Sequence, residues 1–204
     1  MDETTNEQTT ETKPERGFCT GGHVVLRPVK EQDLPELARL LAENPFEREP
    51  LPWTYQRLKQ KFEDKEKPGL WEDRTHYFTI VRKTGGVVGF LHESEDFNPG
   101  VCWNRLHIDE AAADRDLLGP DAIWAYLEYK RRWHNPHRLS FNILRPEEDK
   151  AGWLTQAGFE LELVMERVLL YRGVPEAECL YTWLSPQALA NRADDGPVAG
   201  EPGG

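Results

Sequence analysis

Cysteine is scarce in this chain: Cys19, Cys102 and Cys179 are its only three in 204 residues. They are too few and too scattered for a disulfide framework or a zinc ribbon, which fits a reducing compartment. Long apolar runs are missing too, since no stretch approaches the ~20 residues that cross a bilayer. The first twenty residues, rich in Thr and Glu, hold no apolar segment of a secretory signal. Both absences point to a cytoplasmic protein with no membrane partner. Positive charge is in deficit, with 25 Lys plus Arg against 36 Asp plus Glu and a net charge of -11. Phosphate binding needs clustered cations, so nucleic acid is not expected as a partner. The surplus of acid suits small cationic substrates, or solubility alone. Only 38% of residues are hydrophobic and no internal repeat is present.

The length suffices for one domain with a sizeable core and polar tails, but not for two full domains. Residues 1–20 read as a disordered acidic tail. Met1 to Arg16, MDETTNEQTTETKPER, has no aliphatic or aromatic residue after the initiator and cannot offset its ordering entropy by burial. Residues 191–204, NRADDGPVAGEPGG, read as a second disordered tail by their Gly, Pro and charge content. One domain remains, at 21–190.

Within it, the β-branched run His23 to Val29 reads as a strand. Asp33 is placed to cap a helix over 34–43, whose Leu34, Leu37, Leu40 and Leu41 fall in one stripe. Thr54 opens a surface helix anchored by Tyr55, Leu58 and Phe62. Strands over 76–82 and 87–92 are joined by the Gly-containing hairpin Lys83 to Gly86, and a further strand covers 101–108 in a register that the mixed faces leave open. After an acidic, irregular stretch over 109–116, Pro120 suits the first turn of a helix that runs to Trp133, with a strand over 138–144 beyond it. Strand, helix and strand make a βαβ unit. A helix over 147–157 closed by Gly158, strands over 159–171 and 178–183, and a helix over 185–191 complete a mixed α/β sheet, antiparallel early and parallel in the middle. Most of the seven Trp are expected in the core, and Lys130-Arg-Arg132 is expected to face solvent. His134-x-x-His137 has Pro136 between its histidines and no completing ligands, so no metal is expected.

Four stretches carry a further signal: Val25-Leu-Arg-Pro-Val-Lys-Glu-Gln-Asp33, Gly85-Gly-Val-Val-Gly-Phe-Leu91, Trp153-Leu-Thr-Gln-Ala-Gly-Phe-Glu160, and Tyr171-Arg-Gly with Glu178, Tyr181 and Leu184. Together, over about Val24 to Leu189, they resemble the GNAT superfamily of N-acetyltransferases, in particular its branch of ribosomal-protein N-terminal acetyltransferases. The resemblance implies a mixed, mostly antiparallel central sheet with helices on both faces. It implies an acyl-CoA-dependent N-acyltransferase that passes acetyl from acetyl-CoA to a primary amine, small molecule or peptide N-terminus, by direct attack in a ternary complex. A homodimer is one assembly it leaves open.

By the same resemblance the cofactor lies at a helix N-terminus, where backbone amides and glycine suit phosphate. The corresponding segment is Asp116-Leu-Leu-Gly-Pro-Asp121, which assigns Arg115, Leu117, Leu118, Gly119, Pro120 and Asp121 to the cofactor, with Glu147 and the backbone near Leu106 and Ile108. Glu93 and His107 are the candidates for proton acceptor, and Trp53 and Trp71 for an amine slot. The sequence departs from the family at Asp116, Asp121, Glu147, Lys150 and at Leu154, which stands where a proton-donating Tyr is common. These departures keep a second reading open, a binding or regulatory module with a decayed phosphate turn. They also imply that Asp116→Gln with Asp121→Ala tightens cofactor binding.

Overall fold

Leu34, Leu37, Leu40 and Leu41 are all buried along one side of α1 (Leu34–Glu43), as their spacing requires. The computed structural model describes residues 19–43, 54–64, 70–72, 74–96, 101–145, 147–171 and 174–194. Asp33 does not cap α1. It sits in a 3-10 turn over Glu31–Asp33, where its buried carboxylate takes two hydrogen bonds from Arg27 (2.6 and 2.8 Å) and one from the Lys30 amide (2.8 Å). Thr54 does open the next helix, α2 (Tyr55–Phe62), with its hydroxyl accepting from the Arg57 amide at 3.3 Å.

The described strands are β1 (Cys19–Thr20), β2 (Val24–Pro28), β3 (Trp71–Glu72), β4 (Thr75–Arg82), β5 (Val87–Glu95), β6 (Val101–Ile108), β7 (Arg138–Leu144), β8 (Glu160–Tyr171) and β9 (Val174–Leu184). Their order across one sheet is β1-β2-β4-β5-β6-β7-β9-β8, with β3 paired to β4. Every pairing is antiparallel except β6 with β7, which the helix α3 (Arg115–Trp133) connects as the crossover of a βαβ unit. The helices α4 (Glu148–Gln156) and α5 (Pro186–Asp194) follow. Gly158 has φ +85, the left-handed conformation expected just beyond the end of α4.

Two cores lie on opposite faces of the sheet. α1 and Leu58 of α2 pack with Tyr77 and Phe90 on one face. The larger core joins α3, Trp153 and Leu154 of α4, and the inward residues of β2, β4, β5, β6 and β7. No helix among the described residues is long and apolar enough to cross a membrane.

Three expectations need correction. The expected tails overlap ordered elements, because Cys19–Thr20 pairs with β2 and α5 runs to Asp194, while 1–18 and 195–204 lie outside the described residues. α3 begins at Arg115, five residues before Pro120, so Gly119, Pro120 and Asp121 lie inside the helix and not in a turn before it. Trp103, Trp124 and Trp133 are exposed, and among the tryptophans whose side chains are described only Trp153 belongs to the buried set.

Candidate active site

The parallel ladder between β6 and β7 is short. It runs from Val101↔Arg138 to Asn104↔Phe141 and stops, although β6 continues to Ile108 and β7 to Leu144. Asn104 marks the point of divergence: its Nδ2 donates to Ser140 O of β7 at 3.0 Å. Beyond it the strands splay and a gap opens between their edges. In an antiparallel ladder every second residue bonds to a given neighbour. Asp109 N donates to Val88 O at 2.8 Å, so the odd-numbered residues of β6 bond to β5, and Leu106 and Ile108 turn their N–H and C=O groups into the gap. On the other side Arg145 N donates to Ala177 O at 3.0 Å, so Asn142 and Leu144 of β7 face the gap. The Leu144 amide is already taken by Glu147 Oε2 at 2.9 Å. Glu147, matched above to a cofactor contact, therefore serves β7, and its other oxygen meets the ammonium of Lys150.

Glu93 and His107 do not converge. Glu93 is directly opposite Asn104 in the β5–β6 ladder and shares its face, which is the face of α3. His107 is three residues further along β6 and points to the other face, where its ring stacks on Phe90 (centroids 5.4 Å apart). Glu93 is 1% exposed and closely held: Tyr126 donates to Oε2, Lys130 Nζ lies 3.0 Å from Oε1, and His76 Nδ1 3.2 Å. Burial works to raise its carboxyl, but His76, Lys130 and Tyr126 outweigh that and hold it at about 2. A carboxylate so stabilised is a poor proton acceptor. Its evident work is to anchor α3 against the residue at which the strands diverge. His107 is 4% exposed, with Nε2 buried and unpartnered. Burial, then the charge of Lys150, draws it down to about 3, so it is neutral near pH 7.

The start of α3 is neutralised from within. Arg82 makes two bonds to Asp114 (3.0 and 2.6 Å), Arg39 holds Asp109 at 2.6 Å, and Arg115 pairs with Asp149 while lying over the Trp153 ring. The Arg115, Leu117 and Leu118 amides bond to Ala112 O or Asp114 O. Leu117 is exposed and Leu118 buried in the core. Gly119 meets no cradle: a Cβ there would lie 2.3 Å from the Trp153 ring, so its small size lets α3 and α4 touch. Asp121 points away from the gap and accepts from three successive amides, Gly22 (2.6 Å), His23 (2.7 Å) and Val24 (2.9 Å), pinning the β1–β2 turn. Gly119 and Asp121 thus hold structural roles, at the α3–α4 contact and the β1–β2 turn, that the sequence reading did not foresee.

No family model matches the chain, and no curated protein sequence matches it. Solved structures do match. Spermidine N-acetyltransferase from Vibrio cholerae, in complex with CoA and spermine, aligns with a TM-score of 0.67 at 13% identity, over 81% of this chain and 98% of that one. Ribosomal-protein-S5-alanine acetyltransferase from Vibrio fischeri aligns at 0.61 with 20% identity, over 80% and 94%. An acetyltransferase of the GNAT family from Bacillus anthracis aligns at 0.65 with 11% identity, over 81% and 97%. This chain has the GNAT acetyltransferase fold.

On this GNAT fold several functional-looking residues take other places than their sequence suggests. Lys130 does not face solvent; it is 1% exposed and ion-paired with Glu93, an outcome foreshadowed by its spacing of four from Tyr126 and seven from Ile123, both on the buried stripe of α3. Glu93, Glu95 and Cys102 gather closely enough to suggest metal ligands, but the Lys130 ammonium already lies 3.0 Å from Glu93 and 3.5 Å from Glu95. Trp71 pairs with His76 through β3, and Trp53 lies outside the described residues. His134 Nε2 contacts the Tyr129 hydroxyl at 2.9 Å.

Proposed function

We propose that the protein is an acyl-CoA-dependent N-acetyltransferase that transfers acetyl from acetyl-CoA to a primary amine, small molecule or peptide N-terminus. The observation that carries this reading is the gap between β6 and β7. Its edge turns backbone groups of Leu106 and Ile108 toward the gap, beyond the end of the ladder, suited to an extended ligand that bears amides of its own, and to a thioester oxygen that gains charge during transfer. An extended arm completes the ladder that the strands leave unfinished. The fit at the start of α3 is poorer, because Asp109, Asp114 and Asp149 already occupy Arg39, Arg82 and Arg115. Phosphates bound there exchange partners with these carboxylates, and weak affinity follows.

In the reaction the substrate ammonium loses one proton to become the neutral amine, the nitrogen bonds to the thioester carbon as the C–S bond breaks, and the second proton the nitrogen sheds ends on the CoA sulfur. The products are an amide, the CoA thiol and one proton. His107, on the sheet face opposite α3, has a buried Nε2 with no hydrogen-bond partner, which as an acceptor suits the amine. Being neutral and weakly basic, it orients the amine, and the proton passes on to water. Leu154 is buried in the core and donates nothing. The sulfur leaves as thiolate, tolerable for a thiol pKa near ~8.5. The neutralised cations at α3 favour a second reading, a GNAT-fold module that binds without transferring. Melting curves with acetyl-CoA and thiol release with spermidine or an Ala-led peptide separate the two. At about 100 times the dissociation constant the cofactor adds about 2.7 kcal/mol. A flat melting curve to millimolar acetyl-CoA overturns the enzyme reading, and a shift without thiol release favours the binding module.

A further inference from the structure

On the sheet face that carries His107, the side chains of β6, β7 and β9 beyond the α1 core include a polar group largely removed from water, set among the buried Leu144 and Leu180. It comprises Arg105, Ser140, Asn142, Glu178 and Thr182, of which Ser140, Glu178 and Thr182 are buried. A sheet face packed only for stability buries apolar residues, and a polar floor needs partners for each group. Glu178, 2% exposed, accepts from Asn142 Nδ2 at 2.7 Å and lies 3.8 Å from Arg105 Nη2. Two buried polar atoms beside this floor have no partner: Asn142 Oδ1 and His107 Nε2. Asn142 is the first β7 residue past the end of the parallel ladder and stands at the lip of the gap.

From this arrangement we infer that Glu178 and Asn142 are acceptor-specificity residues that hold the primary amine in its ammonium form beside the gap before it is deprotonated and acetylated. The inference rests on the acyl-transfer reading and deepens it. An ammonium has three N–H donors and no acceptor, and Asn142 sets its unpartnered amide oxygen beside the carboxylate of Glu178 at the lip of the gap. The net charge of -11 draws cations toward the surface around it. A carboxylate acceptor would meet Glu178 with like charge and is rejected.

The test uses the full chain with acetyl-CoA and three nucleophiles: spermidine, an Ala-led peptide with a free N-terminus, and hydroxylamine, which is uncharged at neutral pH. Glu178→Gln keeps size and removes the charge. It should raise KM for spermidine and the peptide about tenfold, the loss of one charge-assisted hydrogen bond, with kcat changed less than about threefold. KM for hydroxylamine and for acetyl-CoA should stay constant, which a merely structural defect would not allow. Asn142→Leu should show the same split and decides the matter if Glu178→Gln does not fold. Equal shifts for charged and uncharged nucleophiles, or none for any, overturn the inference while the wild-type chain still releases thiol. A wild-type chain silent with all three nucleophiles overturns the acyl-transfer reading and the inference with it.

Discussion

Asp121 joins three consecutive backbone amides to one helix, and its removal leaves all three to find water. Charged hydrogen bonds are worth ~1.5–3 kcal/mol each when buried and less where solvent reaches them. Asp121→Ala should therefore cost about 2 kcal/mol, or roughly 5 °C in melting temperature for a chain of this size. An unchanged or raised melting temperature contradicts this. The sequence implied only a gain in cofactor affinity from changing Asp121 together with Asp116, and not this structural role, since no local pattern tells which of four Asp residues near the start of α3 reaches back across about a hundred positions. The buried pair is also specific: Lys130→Met strands the Glu93 carboxylate and should cost about 3–5 kcal/mol, whereas Lys130→Met with Glu93→Gln should cost clearly less than the two singles summed. Urea unfolding of the four proteins measures this, and simple additivity would mean that the pair does not interact.

His107 sets a pH dependence. Its folded value lies at about 3 against 6.5, so its neutral form contributes stability that is present above pH 6.5 and lost as pH falls toward 3. His92, drawn chiefly by burial to about 4, adds the same sign, and Glu93, held at about 2 against 4.5, adds a loss below pH 4.5. Urea midpoints should fall steadily from pH 6.5 to 4, and His107→Gln should flatten that slope by up to about 1.4 kcal/mol per pH unit. An equal slope in the variant would mean that His107 is not buried neutral.

At the scale of elements, the contact between α3 and α4 depends on Gly119. Gly119→Ala improves helix propensity by ~1 kcal/mol but drives a methyl into a buried Trp153 ring, an overpacking cost of about 1–3 kcal/mol. The net should be a loss, recovered in Gly119→Ala with Trp153→Leu; a more stable single variant would show that α4 moves freely. The strand and helix order was legible because long apolar stripes and Gly turns mark it, as in α1 and the β4–β5 hairpin. The start of α3 was not. Pro120 mimics a first helical residue, yet the turn built by Asp114 O with the Leu117 and Leu118 amides nucleates the helix upstream and carries it through the proline.

For the whole molecule, two cores back one sheet, and the sheet divides where β6 and β7 part. The βαβ unit that creates the parting was legible from the sequence between 101 and 144. The facing of its side chains was not, because β6 does not sort polar from apolar residues by face: Asn104 is buried with Leu106 toward α3, and His107 is buried toward Phe90. With that register open, Glu93 and His107 stood as candidates for the same proton-accepting role, and only the three-dimensional ladder places them on opposite faces. The central claim is that an acyl-CoA arm completes the gap. Hydrogen exchange of the full chain with and without saturating acetyl-CoA tests it directly, read at the Leu106 and Ile108 amides with the edge strand β8 as reference. Slower exchange at Leu106 and Ile108, with β8 unchanged, is the result predicted here; unchanged exchange in β6 under conditions where acetyl-CoA is bound would place the cofactor elsewhere and contradict it.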